Sequence, residues 1–329
     1  MAKRDIIVIG ASAGGAEALR HLCAALPSDI PAAIFVVWHM PSHSFGILPQ
    51  MLQPVSHLPV ANALHDQSIM PGTITVAPPD YHLLLEGGRI RLTQGPRENR
   101  FRPAIDPMFR SAATCFGPRV IGVVLSGALD DGTSGLWAIK DRGGLAVAQD
   151  PTDALFPGMP TSAIRNVAID HILQAHQMGE LLDRLAREPV TLPTPEAPEP
   201  LTLEVESAAM MTTDDEDMSR LGEVSQFTCP ECHGSLWRII EGKIVRFRCR
   251  TGHAFSSTTL LDELTESIER SLWASVRGFE ENASLLEHLG RHLREQGENG
   301  IADEYLSRAA EIKARARSVR VALENGHLD

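Results

Sequence analysis

The first 190 residues predict an α/β domain on a doubly wound, mostly parallel sheet, followed by a small cysteine-bearing module and a helical hairpin. Three observations carry that prediction. Short β-rich runs alternate with helical patterns, as βαβ units require. Several of those runs are continuously apolar, which suits strands covered on both faces. Beyond residue 188 the composition changes, first to alternating proline and glutamate, then to clustered cysteines, then to apolar residues three and four apart.

Expected strands are Asp5–Ile9, Ala33–Val37, Thr73–Ala77, Tyr81–Leu85, Arg89–Leu92, Val120–Leu125, Leu145–Ala148 and Ala168–Ile172. Expected helices are Gly15–Leu26, Phe45–Leu52, Pro107–Cys115, Thr133–Arg142, Thr161–Asn166 and Gln177–Arg187. The Gly87-Gly88 pair joins two of the strands as a hairpin. Residues 191–226 hold Pro193, Pro195, Pro198 and Pro200 and the run Asp214-Asp215-Glu216-Asp217, so they read as an acidic, disordered tether, with a local strand at Leu201–Val205 as the one structured option. Residues 227–255 form the cysteine module, and 256–329 a helical hairpin broken near Gly297 and Gly300. Thr259 and Asp262 read as the capping box that opens the hairpin.

With 329 residues and 43% hydrophobic content, the chain has material for a real core and a smaller appendage. A formal charge of -12 argues against duplex nucleic acid or an anionic membrane as main partner. No segment reaches the roughly 18–20 apolar residues that span a bilayer. The N-terminus lacks the apolar core of a secretory signal, so the expected compartment is the cytoplasm. Cys23 and Cys115 read as inert buried thiols.

Three expected strand ends carry chemistry. The first runs into Gly10-Ala11-Ser12-Ala13-Gly14-Gly15. As a dinucleotide turn this lacks the middle glycine, and no acidic residue closes the second strand; as a sharp strand-to-helix turn it presents Ser12. The second ends at His39, the third at Ser126-Gly127-Ala128-Leu129-Asp130-Asp131. In a parallel sheet these ends share one edge. A hydroxyl needs a base to become a nucleophile, an imidazole supplies one near neutral pH, and a carboxylate fixes its tautomer. Taken singly, His39 fits a sheet-edge histidine and Asp131 a helix N-cap ahead of Thr133; their coincidence favours a catalytic triad of Ser12, His39 and Asp131. His43, His57, His65 and His82 show no ligand spacing and read as surface or loop residues, and Asp106 reads as an N-cap as much as a site residue.

Residues 3–188 resemble the catalytic domain of the CheB family of protein-glutamate methylesterases. The resemblance rests on Ile9–Ser12 with Gly14-Gly15, His39-Met40-Pro41, Pro71-Gly72 with Val76-Ala77-Pro78, Asn99-Arg100-Phe101-Arg102-Pro103 with Asp106, Leu125-Ser126-Gly127 with Asp131-Gly132, and Gly158-Met159-Pro160. It implies Ser12 as nucleophile, His39 as base and Asp131 as its orienting acid, with no catalytic cofactor. It also implies an oxyanion donor near Ala128 and hydrolysis of glutamyl methyl esters on receptor-like proteins of a chemotaxis type, with glutamine deamidation as a second activity. The alternative is a non-catalytic regulatory protein that uses the cleft only to hold partners. Two positions depart from the family: Ala13 stands where threonine is common, and Ala128 where methionine is. The family's receiver domain is not expected ahead of the first catalytic strand, and with it phosphorylation control in cis. Arg100 and Arg102 precede a helix and offer a contact for an acidic receptor helix.

In the C-terminal module, Cys229-x-x-Cys232 and Cys249-x-x-x-His253 flank a hairpin turning at Gly242, the layout of a structural zinc ribbon. His233 competes with His253 for the fourth position. Arg246, Arg248 and Arg250 read as a basic face beside the second knuckle. The helical hairpin reads as a dock for a methyltransferase or signalling partner, or for a second copy of the chain.

Overall fold

The computed structural model describes residues 2–190, 196–209 and 214–325; Pro193 and Pro195 of the expected tether lie outside the described residues. The chain divides into two compact units, Met1–Leu260 and Leu261–Asp329.

In chain order the first part comprises β1 (Ile6–Ala11), α1 (Gly15–Ala24), β2 (Ala33–Trp38), α2 (Leu48–Leu52), β3 (Val60–Asn62), β4 (Ile74–Val76), β5 (His82–Glu86), β6 (Arg89–Thr93) and α3 (Ile105–Phe116). Then follow β7 (Val120–Val124), α4 (Thr133–Asp141), β8 (Leu145–Gln149), α5 (Gly158–Asn166), β9 (His171–Leu173) and α6 (Met178–Arg187). Seven strands pair in the order β3-β4-β2-β1-β7-β8-β9, parallel throughout. The two-residue period of a strand divides the core between the faces. Ile7, Ile9, Ile34, Val36, Ile121 and Val123 pack with Leu19, Leu22 and Leu182 of α1 and α6. Ile6, Val8, Phe35, Val37, Val120 and Val124 pack with Met108, Phe109, Leu136 and Ile139 of α3 and α4. The expected βαβ reading holds; β3 was not anticipated, because three residues are too few to show a period.

The β5–β6 hairpin turns on Gly87 and Gly88, both at positive φ (56° and 78°), as a tight two-residue turn demands.

The acidic segment departs from expectation. It carries α7 (Glu199–Ala208) and α8 (Asp215–Leu221), so Leu201–Val205 is helical rather than extended. Asp214 caps α8, accepting from the N–H groups of Glu216 and Asp217. Leu203, Met218 and Leu221 join Trp237 and Ile239 in a small apolar cluster. The larger anchor is Glu204, 2% exposed, which pairs with Arg246 (2.7 Å) and Arg248 (3.1 Å). Composition argues for disorder only when burial must be apolar; here a single acid buries against arginines supplied from elsewhere.

Those arginines correct a second expectation. The module comprises β10 (Glu223–Thr228), β11 (Ser235–Glu241), β12 (Ile244–Cys249) and β13 (Ala254–Ser256), an antiparallel sheet in that order. Arg246 and Arg248 point inward, at 2% and 0% exposure, instead of forming a basic face. Arg248 also meets Glu98 (2.6 Å), which pairs with Arg110 of α3, and Arg246 meets Glu241 (2.6 Å). Arg250 is exposed and lies 3.5 Å from Asp215. Three buried arginines face the buried Glu98 and Glu204 and the partly exposed Glu241, and this network ties the module to the back of α3.

The helix α9 (Ser257–Glu295) begins at an N-cap formed by Ser256, whose Oγ accepts from the Thr259 N–H, rather than at the Thr259–Asp262 box. Within the second unit, α9 and α10 (Asn299–Asn325) run antiparallel, joined by the ion pairs Lys313–Glu287, Arg320–Glu280 and Arg294–Asp303.

Burial opposes the charge of Glu204, but Arg246, Arg110 and Arg248 outweigh it and hold its carboxyl well below the usual range; Glu98 is lowered likewise by Arg110 and Arg248. Depressed carboxyl pKa values contribute stability fully above the unfolded value, about 4.3, and lose it as pH falls towards the folded one. Glu204→Ala leaves three buried guanidinium groups without this partner, so chemical denaturation at neutral pH should register a loss of about 3–5 kcal/mol. That deficit should shrink as pH drops below 4. A deficit under about 1 kcal/mol at pH 7 would show that the network contributes little.

Candidate active site

The three strand ends do converge. β1 stops at Ala11 and α1 starts at Gly15, with Gly14 left-handed at φ 70°. Ser12 sits in this turn, its N–H donating to Ser126 O (2.9 Å) beyond β7, while Trp38 Nε1 donates to Ser12 O (2.9 Å). β1 and β7 are neighbours where the chain, having built the sheet outward through β2 and β4, crosses to build the other half. Such a switch point opens a crevice at the carboxyl edge of a parallel sheet. One residue past β2, the His39 N–H donates to Ala11 O (3.0 Å), which seats the imidazole beside Ser12.

His39 Nδ1 lies 3.1 Å from Ser12 Oγ, and His39 Nε2 lies 2.7 Å from Asp131 Oδ2. The ring also stacks on Phe101, centroids 3.8 Å apart and planes 11° from parallel. Phe101 thus fixes the plane of the imidazole while the two hydrogen bonds fix its rotation.

Asp131 is 2% exposed. Oδ2 also accepts from the Ile105 N–H (2.7 Å), and Oδ1 from Asn99 Nδ2 (2.9 Å) and, more weakly, the Asp106 N–H (3.4 Å). The carboxylate therefore stands at the positive N-terminus of α3 rather than capping α4. Burial works against its charge, but the bonds from His39, Ile105 and Asn99 prevail and keep it well below the usual carboxylate range. Its neighbour Asp106 responds in the opposite sense: burial and the charge of Asp131 push its carboxyl well up. Asp106 accepts from the Gly135 N–H (2.7 Å) in the first turn of α4, so it caps that helix rather than its own.

A cavity of about 310 Å³ opens over the site, lined by Ser12, His39, Met40, His43, Phe101 and the arginines 97, 100 and 102. Arg102 is anchored, its guanidinium bonded to Asp80 Oδ1 (2.7 Å) and to the carbonyls of Gln94 and Gly95, so it braces the wall. Arg100 is half-buried at φ 76°. Arg97, absent from the sequence reading, is exposed on the same wall. Ala13 leads into α1, and Ala128 follows Gly127, whose backbone closely approaches Ser12. His82, expected at the surface, is fully buried; its Nε2 lies 2.9 Å from Pro96 O, and burial lowers its pKa.

Sequence reasoning also assigned no role to Asn99 and Phe101. Both fall inside the matched Asn99–Pro103 stretch, but their contacts depend on the left-handed backbone at Asn99 and Arg100 (φ 49° and 76°), which no periodicity reveals.

Within the same compact unit, Cys229, Cys232, Cys249 and His253 bring their donor atoms within 4.8 Å of one another, an arrangement able to hold a metal ion. His233 is not of this group; at φ 60° it forms the turn of the first knuckle, its N–H donating to Cys229 O (2.8 Å).

A parallel α/β sheet with a hydroxyl, an imidazole and a carboxylate in line at its switch point defines a protein of the serine-hydrolase kind. The chain belongs to the CheB methylesterase family, whose model matches residues 7–182. It is 38% identical over 182 residues to a protein of Leptospira interrogans, covering 55% of this chain and 94% of that one. It is 40% identical over 188 residues to an Anaeromyxobacter dehalogenans protein named protein-glutamate methylesterase/protein-glutamine glutaminase 4, covering 56% of this chain and 52% of that protein. Among solved structures it resembles the Thermotoga maritima CheB methylesterase catalytic domain, with TM-score 0.53 and 34% identity over 55% of this chain and 98% of that domain.

The close approach at Gly127 is testable. A Cβ there would overlap Met159 Sδ and stand 2.8 Å from Ser12 Cβ. Gly127→Ala should destabilise the fold by about 1–3 kcal/mol and slow covalent labelling of Ser12. Unchanged melting and labelling together would contradict the packing described.

Proposed function

We propose that this protein hydrolyses methyl esters of glutamate side chains on receptor-like proteins, with protein-glutamine deamidation as a second use of the same site. The observation that carries the reading is the unbroken hydrogen-bonded line from Ser12 Oγ through His39 to Asp131, within a domain of the CheB methylesterase family.

In this reading His39 takes the proton of Ser12 as Oγ attacks the ester carbonyl, and Asp131 stabilises the imidazolium. The amides of Ala13 and Ala128 are the donors proposed for the oxyanion, at the N-terminus of α1 and in the β7–α4 loop. Neither role needs the side chains in which this chain departs from its family. Collapse breaks the C–OCH3 bond, His39 protonates the leaving methoxide, and methanol departs. Water, deprotonated by His39, then attacks the glutamyl ester, and Ser12 leaves with the proton returned. With glutamine, ammonia leaves in place of methanol. Arg97 and Arg100 on the cavity wall suit the acidic surface of a receptor helix. No step requires a cofactor.

The Cys229–Cys232–Cys249–His253 cluster is proposed as a structural zinc site. Sulfur ligands about 2.3 Å from zinc stand about 3.7 Å apart in a tetrahedron. Here Cys232 and Cys249 Sγ are 3.6 Å apart, and His253 Nδ1 lies 3.6 Å and 3.8 Å from the Cys249 and Cys229 sulfurs. We assign catalysis to residues 1–190 and partner recruitment, a methyltransferase, another signalling protein or a second copy, to the α9–α10 hairpin, which exposes Leu261, Ile268 and Leu285. The proposed setting is the cytoplasm; among the described residues no helix is long and apolar enough to cross a membrane.

Wild-type protein incubated with methylated receptor should release methanol and react with a fluorophosphonate at Ser12. Ser12→Ala should do neither, and Asp131→Asn should lower kcat by about a thousandfold or more. Methanol release that survives Ser12→Ala would reject the mechanism. Elemental analysis should find about one zinc per chain, lost in Cys249→Ser; metal-free, folded wild-type protein would reject the zinc assignment.

A further inference from the structure

The segment joining β6 to α3 touches both the imidazole and the carboxylate of the site. Phe101 stacks on His39, Asn99 holds Asp131 Oδ1, and Arg97 and Arg100 line the cavity. Unlike a free surface loop, it is paired on its other side with β13 of the cysteine module. Glu98 and Ala254 form a parallel β-bridge, the Asn99 N–H donates to Ala254 O (2.8 Å), and the Ala254 N–H to Arg97 O (3.4 Å). The Ser256 N–H then donates to Asn99 Oδ1 (2.8 Å). That last bond settles the amide's orientation: with its oxygen engaged by Ser256, the Nδ2 group must face Asp131 and Asp106.

We infer that Asn99 is a positioning residue of the Ser12–His39–Asp131 triad, and that β13 of the Cys/His module holds it in place. The inference rests on the triad reading given above. The module thereby supports the catalytic residues from behind, reaching them through two hydrogen bonds: Ser256 N–H to Asn99, and Asn99 to Asp131. A second tie, Ser256 Oγ to Asp130 Oδ1 (2.7 Å), steadies the loop that carries Asp131. The buried Glu98–Arg248 pair beside the bridge keeps strand and segment in register. Asn99 does not line the cavity; its amide donates to Asp131 and, at 3.2 Å, to Asp106, so it acts on the reaction through the carboxylates.

Two substitutions at Asn99 tolerate its left-handed backbone, Asn99→Gly and Asn99→Asp. Asn99→Gly deletes the donor, so kcat for methanol release should fall about 10- to 100-fold, the worth of a hydrogen bond to a charged group, with KM unchanged. Asn99→Asp keeps the acceptor for Ser256 and donates to Asp131 only while the new carboxyl is protonated. Its kcat relative to wild type should therefore fall as pH rises, whereas the ratio for Asn99→Gly stays flat. The module's part is read from Ser256→Pro, which removes the backbone donor, against Ser256→Ala, which keeps it. Ser256→Pro should slow fluorophosphonate labelling about fivefold more than Ser256→Ala, and should add nothing in an Asn99→Gly background. If wild type labels at Ser12 yet both Asn99 variants keep kcat within twofold, Asn99 does not position the triad. If Ser256→Pro labels no slower than Ser256→Ala, or slows Asn99→Gly equally, the module does not act through it. Failure of wild type to label overturns the triad reading instead.

Discussion

Keeping Asp131 charged while 2% exposed is the constraint around which the site is built. A buried carboxylate without partners would take up a proton and lose its value to His39. Each neighbour addresses that cost. α3 begins where it does so that its first amides face Asp131, Asn99 brings a side-chain donor, and His39 contributes the remaining bond. The penalty is displaced onto Asp106, which sits beside the charge and is pushed towards its neutral form. Asp131 keeps its charge through the bonds from His39, Ile105 and Asn99, and Asp106 beside it is the carboxyl that is driven up.

The same economy governs the join between the α/β domain and the cysteine module. Arg110, Arg246 and Arg248 are buried against Glu98, Glu204 and Glu241 drawn from three stretches of chain. Replacing such a set with apolar residues would often cost nothing in stability. What charge adds is register: a guanidinium accepts few geometries, so β12 and the Glu98 segment meet in one alignment. Since Asn99 follows Glu98 directly, that alignment is also what aims its amide.

Much of this was legible in the sequence, for identifiable reasons. Strands covered on both faces announce themselves as apolar runs, and in a parallel sheet their C-terminal ends share one edge; Ser12, His39 and Asp131 stand at three such ends, and their complementary chemistry with the family resemblance singled them out. Cys229, Cys232, Cys249 and His253 were legible because ligand spacing is local. What escaped was non-local polar pairing. Glu204 looked like one more acid in a proline-rich tether, because nothing near it in sequence offers a cation. Arg246 and Arg248 looked like a surface patch, since alternation along β12 says which residues share a face but not what covers it. Asn99 and Phe101 stand within a matching stretch, yet their contacts depend on a left-handed turn and, for Asn99, on the segment Ala254–Ser256, some 155 residues away.

A tethered accessory domain would leave the α/β domain's polar surface solvated, and the tether's composition would then decide its behaviour. Here α3 presents Arg110 at zero exposure, and Glu98 beside it at 1%. Neither is compatible with a face left bare, because a guanidinium and a carboxylate at those depths need the second acid and the second arginine that Glu204 and Arg248 provide. The buried faces of Arg110 and Glu98 are thus completed by residues from beyond position 200, and the part of the chain that resembles its relatives is not, in this protein, the whole of the structure that surrounds Asp131 and Asn99.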